Sequence, residues 1–286
     1  MADVPQRDWP RRVSILGVGL LGGSVALAIR RRCPSATIVG LARTEAKRDT
    51  LMELGTVDEV ADSIESACRE SDVVVVAAPV DKIASMVAAA AQSSPSGCLI
   101  TDVGSTKALI VEAVADDPVS VSKFVAAHPI AGSEKSGPRH AREDLFDEKI
   151  VVLTPGSKTD APLTSKAREF WQLTGGQTHE MTPEDHDTHL AAVSHVPHLV
   201  SALVACLTRP EARSLVGSGW RDITRVAAGD PTLWTAICRE NRVAITRELD
   251  RFASELEQLR DLVSTADDEA MHRWLAAAKE IKEQAP

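Results

Sequence analysis

The stretch Gly17-Val18-Gly19-Leu20-Leu21-Gly22 constrains what this chain can fold into more than any other. It follows directly on a short apolar run, Val13-Ser14-Ile15-Leu16, that reads as a strand. The helix after it passes through Val25, Leu27, Ala28 and Ile29 to a basic end at Arg30, Arg31 and Arg32, which suits the negative end of a helix dipole. A second strand, Thr37-Ile38-Val39-Gly40-Leu41, comes next. Three glycines at this spacing in a strand–turn–helix–strand unit meet the needs of a dinucleotide cradle. The first permits a tight turn, the second lets a pyrophosphate reach the backbone, and the third lets helix and strand pack closely. Gly17, Gly19, Leu20, Leu21 and Gly22 are therefore the expected cofactor contacts.

The end of the second strand chooses between NAD and NADP. An acid there accepts hydrogen bonds from the ribose 2′-hydroxyl and repels a 2′-phosphate. This chain has Ala42-Arg43-Thr44 instead, where Arg43 can pair with a phosphate and Thr44 can add a hydroxyl, so NADP is favoured over NAD.

Further apolar runs predict strands at 72–79, 98–103, 124–127 and 149–154, with a last edge strand over 177–180. Helical segments are expected between them, at 64–69, 83–91 and 107–115. Such alternation specifies a doubly wound parallel sheet. Pro155, Pro162 and Gly175-Gly176 read as punctuation late in this half. From Thr182 the texture becomes helical, with Thr182-Pro183-Glu184 as a helix start and Pro197 set to kink or split the helix that follows. The expected architecture is thus α/β: a Rossmann-type dinucleotide-binding domain over 11–181, then an all-helical domain over 182–286. On the last long helix Ile245, Leu249, Phe252, Leu256, Leu259 and Val263 repeat at steps of four and three, a seam that either packs internally or pairs two subunits.

Composition excludes several classes. A net charge of -9 lacks the basic footprint that nucleic acid requires, while leaving small anionic substrates open. Five scattered cysteines with no Cys-x-x-Cys pair suggest neither a disulfide framework nor a zinc site. The first twelve residues hold no signal-length apolar run, and no segment approaches the ~20 consecutive apolar residues of a membrane span. A cytoplasmic protein without membrane partners is expected.

The strand over 124–127 ends on His128, followed by Pro129 and a polar loop. In an open α/β sheet, ligands sit just past the carboxyl ends of strands, so His128 is either a strand cap or a group facing a ligand. The pairs His186/His189 and His195/His198 share the i, i+3 spacing of metal ligands, but Pro197 and the lack of a carboxylate set argue against a metal.

Five blocks occur in order: Gly-Val-Gly-Leu-Leu-Gly-Gly-Ser, Thr-Asp-Val-Gly-Ser-Thr-Lys, His-Pro-Ile-Ala-Gly-Ser-Glu-Lys-Ser-Gly, Ser-His-Val-Pro-His and Trp-Arg-Asp-Ile-Thr-Arg. Together they resemble the prephenate/arogenate dehydrogenase family of tyrosine biosynthesis, over roughly residues 12–262. The resemblance implies that His128 is the base at the substrate hydroxyl and that Ser105 bonds that hydroxyl and orients His128. It also implies that His198 and Arg225 bind substrate, and that Glu134 and Asp222 join an ion-pair network gating entry. It further implies a homodimer through the C-terminal helices. The Glu-Lys-Ser-Gly run after Ser133 tilts the substrate towards prephenate rather than arogenate. A non-catalytic dinucleotide sensor would not need His128, Ser105 and Arg225 together. Another two-domain dehydrogenase, of hydroxy acids or imines, would not carry the His-Pro-Ile-Ala-Gly block.

Overall fold

Four consecutive valines make β4 (Val73–Val76), and all four side chains are fully buried. Each contributes about 1.5–3 kcal/mol of apolar burial, which suits this strand to the middle of a sheet covered on both faces. The computed structural model describes residues 9–132 and 135–284. In it β4 is the fourth strand of eight, in the order β3-β2-β1-β4-β5-β6-β7-β8. Val73 and Val75 face one core with α1 (Leu20–Arg32) and α7 (Ala161–Leu173). Val74 and Val76 face the other, with α3 (Ile64–Cys68), α4 (Val80–Ser93) and α5 (Ala108–Val114).

The sheet runs through β1 (Arg12–Leu16), β2 (Thr37–Leu41), β3 (Glu59–Ala61), β5 (Leu99–Asp102) and β6 (Phe124–Pro129), all parallel with β4. It departs from the expected all-parallel arrangement at β7 (Ile150–Thr154), which is antiparallel to β6, with β8 (Gln177–Glu180) parallel to β7. The cause lies in the connections. Among the described residues no α-helix crosses over between β6 and β7, whereas α7 carries the chain from β7 to β8. Four elements of this half go beyond the sequence reading: β3, α2 (Glu45–Glu53), the short α6 (Pro118–Val121) and α7. The last begins where Asp160 accepts from the Leu163 amide at 2.8 Å, with Pro162 in the first turn. The short α6 precedes β6.

The helical half comprises α8 (Pro183–Leu190), α9 (Val196–Leu207), α10 (Ser218–Thr224), α11 (Pro231–Glu240), α12 (Arg242–Thr265) and α13 (Asp268–Gln284). Pro197 does not break the helix. A π-helical turn over Ala191–His195 joins α8 to α9, with the Val196 amide bonded to the Ala191 carbonyl. Widening the turn makes room for the proline ring against the carbonyl four residues back.

Residues Pro183–Leu207 thus form one 25-residue rod that contains an 18-residue window of mean hydropathy 1.8, long and apolar enough to cross a membrane by length and composition. This corrects the expectation that no segment reaches that threshold, since the histidines and Pro197 had hidden the rod's continuity. Within the fold it buries His186, Asp187 and His195 in hydrogen bonds to protein groups, as a helix packed against protein does.

The helical half has a small core of its own, Ala191, Val196, Ala244 and Ile245. Beyond Ile245 the α12 seam lies open: Leu249, Phe252, Leu256 and Val263 are 37–63% exposed, so internal packing does not cover it.

Candidate active site

The glycine turn fits a dinucleotide on steric grounds. Gly17 has φ +115°, and a Cβ there would stand 2.2 Å from the Ala77 carbonyl oxygen. A Cβ on Gly22 would meet the Gly17 carbonyl oxygen at 2.2 Å, whereas one on Gly19 would meet nothing within 4 Å. The turn is therefore pressed against its own sheet at Gly17 and Gly22 and open at Gly19, where a pyrophosphate would approach. Gly19 caps α1, so the amides of Leu20, Leu21 and Gly22 belong to a first turn that offers unpaired donors and the positive end of a dipole. A cleft of about 350 Å³ adjoins it, lined among others by Gly17, Gly19, Ala42, Lys47 and Thr50. Ala42 is buried beside this cleft, while Arg43 and Thr44 are exposed, Thr44 as the cap residue of α2.

β5 ends at Asp102 before β6 does. Their pairing stops at Thr101↔Val125, and the Asp102 carboxylate takes over by accepting from the Ala127 amide at 2.9 Å. The same carboxylate accepts from the Gly104 amide at 2.8 Å and is ion-paired with Lys107, both partners being fully buried. His128 therefore projects beyond the carboxyl end of the parallel strands. It is not past the end of its own strand, as the sequence suggested, because β7 continues to pair with β6 there, at His128↔Val152.

The His128 ring is held by its Nδ1, 2.9 Å from Nε2 of His186, and the two rings meet edge to face. His186 Nδ1 lies 2.8 Å from Asp187 Oδ1, and the Asp187 carboxylate accepts from the amides of Lys107 (2.8 Å) and Ala108 (2.9 Å). Burial, reinforced by His186, Lys107 and His195, pushes His128 well below the usual histidine range, so the ring is neutral. Burial also lowers His186 and takes His195 down to about 4.

Ser105 sits in the partly buried loop between β5 and α5, and among the described residues its hydroxyl makes no hydrogen bond to His128. His198 is buried on α9 and stacks on Trp234 of α11, with ring centroids 3.4 Å apart and planes 11° apart. Arg225 and Asp222 are both exposed, Asp222 on α10 and Arg225 on the 3-10 turn after it, which packs on α9. Glu134 lies outside the described residues. His189 is exposed, away from the buried His186, and among the described residues no group of three or more potential ligands could hold a metal. A larger cavity of about 640 Å³ lies at the other end of β6, near Phe124, Thr154 and Lys158, and includes neither His128 nor the glycine turn.

A glycine cradle and an uncharged histidine at the carboxyl end of one sheet are the layout of a dinucleotide-dependent dehydrogenase. Residues 25–180 match the family model for the nucleotide-binding domain of prephenate dehydrogenase, and residues 182–277 match that for its dimerization domain. The prephenate dehydrogenase of Bacillus subtilis is 34% identical over 281 residues, 96% of this chain and 76% of that one. The cyclohexadienyl dehydrogenase of Zymomonas mobilis is 34% identical over 90% of each chain. In structure, the prephenate dehydrogenase of Aquifex aeolicus in complex with hydroxyphenyl propionate and NAD+ superposes with a TM-score of 0.88. That match has 31% identity and covers 96% of this chain and 98% of that one. The chain belongs to the prephenate dehydrogenase family of NAD-dependent oxidoreductases.

Proposed function

We propose that this chain is a prephenate dehydrogenase, converting prephenate to 4-hydroxyphenylpyruvate and carbon dioxide. One observation carries the reading: a neutral, half-buried His128 stands past the parallel strands of a sheet that also carries a dinucleotide cradle. A nicotinamide dinucleotide bound in that cradle accepts the hydride that leaves C4 of the substrate. His128 takes the proton of the C4 hydroxyl through its free ring nitrogen. When the ring carboxylate leaves as carbon dioxide, its bonding electrons complete the aromatic ring, and His128 returns the proton to the phenolate oxygen. Ser105 is the second group at the hydroxyl. His198 and Arg225 anchor the side chain and carboxylates, with Glu134 and Asp222 at the entrance.

We read residues 11–181 as the dinucleotide half and 182–286 as the substrate and pairing half, two copies forming a homodimer. The five free cysteines fit a reducing cytoplasm. NADP is the favoured cofactor, supported by the missing acid after β2 and by Lys47 lining the cleft beside Arg43. A broader reading that includes arogenate draws on the likeness to the Zymomonas cyclohexadienyl dehydrogenase.

The test is the absorbance of reduced cofactor formed from prephenate or arogenate with NAD or NADP, four combinations in all. Turnover is expected with prephenate, with NADP serving at least as well as NAD. Turnover with neither substrate would overturn the assignment.

A further inference from the structure

We propose that His186 and Asp187 form a positioning relay that fixes the tautomer of His128, leaving the lone pair on its Nε2. The inference rests on the reading of His128 as the base.

The logic is one of donors and acceptors. Asp187 Oδ1 already accepts from the Lys107 amide, and Oδ2 accepts from the Ala108 amide. An ionised carboxylate has no hydrogen to give, so the 2.8 Å contact with His186 requires that His186 Nδ1 carry the proton. A neutral His186 then has a bare Nε2, which can only accept. The 2.9 Å contact with His128 is therefore a bond donated by His128 Nδ1, and the remaining nitrogen of His128 is unprotonated. Any other assignment of neutral rings sets two lone pairs or two hydrogens face to face in a site where water does not intervene, since His186 is fully buried.

The relay also answers a difficulty of the site. When His128 takes a proton it becomes a cation, and the groups around it oppose that: Lys107 from the loop before α5, His195 from the π turn, and burial itself. Asp102 is already engaged by Lys107 and two amides. Among the described residues, the carboxylate in line with the ring is Asp187, reached through His186. As the substrate proton arrives on Nε2, the bond from Nδ1 to His186 strengthens and Asp187 balances the charge. The protons balance, since the Nδ1 proton stays on His128 throughout and the one transferred proton, on Nε2, goes back to the product oxygen.

The relay is built from both halves of the chain. His186 and Asp187 come from α8, and the backbone carbonyl of Asp187 is tied to Asn241 Nδ2 at 2.7 Å, between α11 and α12. His128 and the two amides come from the sheet half. Seating α8 on α5 thus sets the state of the base, which makes the contact between halves part of the chemistry.

Histidine ¹⁵N resonance spectra of the full chain near neutral pH read tautomers directly, with His128→Asn and His186→Gln supplying the assignments. Both His128 and His186 are expected in the Nδ1–H form. An Nε2–H form on His128 would overturn the proposal; the tautomer is read in the wild type, and the two assignment variants need only fold, not turn over. Kinetically, Asp187→Asn is expected to lower kcat by ~10²-fold or more while prephenate KM changes by less than about three-fold. A kcat within about two-fold of wild type would contradict the relay. His186→Gln, whose amide oxygen can still accept from His128, should keep at least about ten-fold more turnover than His186→Leu, and equal losses would count against it. Failure of the function itself reads differently: the wild type would then form no reduced cofactor from prephenate, whatever its tautomers.

Discussion

The surroundings of His128 keep it uncharged, as the proposed role of proton acceptor requires. Burial, with His186, Lys107 and His195 close by, holds it well below the ordinary histidine range. The sign follows: the ring must be neutral to accept a proton, and it becomes charged only when the pH falls below its lowered value. The acid limb of turnover is accordingly expected below pH 6.5, as a profile of kcat against pH would show; a limb above 6.5 would contradict this environment. Stability moves in the same sense. His195 binds a proton in the unfolded chain near 6.5 but in the folded chain only near 4, so stability is fully present above 6.5 and is lost as pH falls through that window. For His195 alone the loss is on the order of 3 kcal/mol, enough to appear as a lowered Tm. At this scale the sequence yielded His128 from its place after an apolar run. It marked His186 only as half of a metal-like pair and did not mark Asp187, because two adjacent polar residues on a helix carry no sign of what lies opposite. Lys107 was visible as part of a block, but its burial against Asp102 depends on how β5 ends.

At the scale of elements, the strands before His128 were legible because continuous apolar runs such as Val73–Val76 admit few other readings. β3 was too short, at three residues, to register, and α2 is highly charged, with Leu51 its only buried residue. α7 has a readable start in Asp160 and Pro162, but by sequence alone the proline reads as a breaker, whereas it stands in a first turn. The reversal at β7 followed from a connection, which no local pattern encodes. The α12 seam was recognised by its spacing, and the fold now shows that its own chain leaves it uncovered from Leu249 to Val263. Replacing Leu249 and Leu256 together by Asp should therefore separate the subunits. Each leucine is worth about 1.5–3 kcal/mol when covered, so the dimer dissociation constant is expected to rise by more than ~10²-fold. Sedimentation equilibrium would register this as a halved mass. A wild type that sediments as a monomer would contradict the pairing.

At the scale of the molecule, the two halves divide the labour of one reaction. In the proposed function the sheet half supplies the cradle, Ser105 and His128, and the helical half supplies His198, Arg225 and the pair that holds His128. Neither half holds a complete site, which is why a sequence read block by block found the parts but not their couplings. The central claim is that His128 is the proton acceptor for the oxidation of prephenate. Its most direct test is the turnover of His128→Asn against wild type at saturating prephenate and cofactor, with cofactor binding measured separately. The expected result is a fall of ~10²–10⁴-fold in kcat with cofactor affinity unchanged. Near-normal turnover in that variant would contradict the account, since the base would then lie elsewhere.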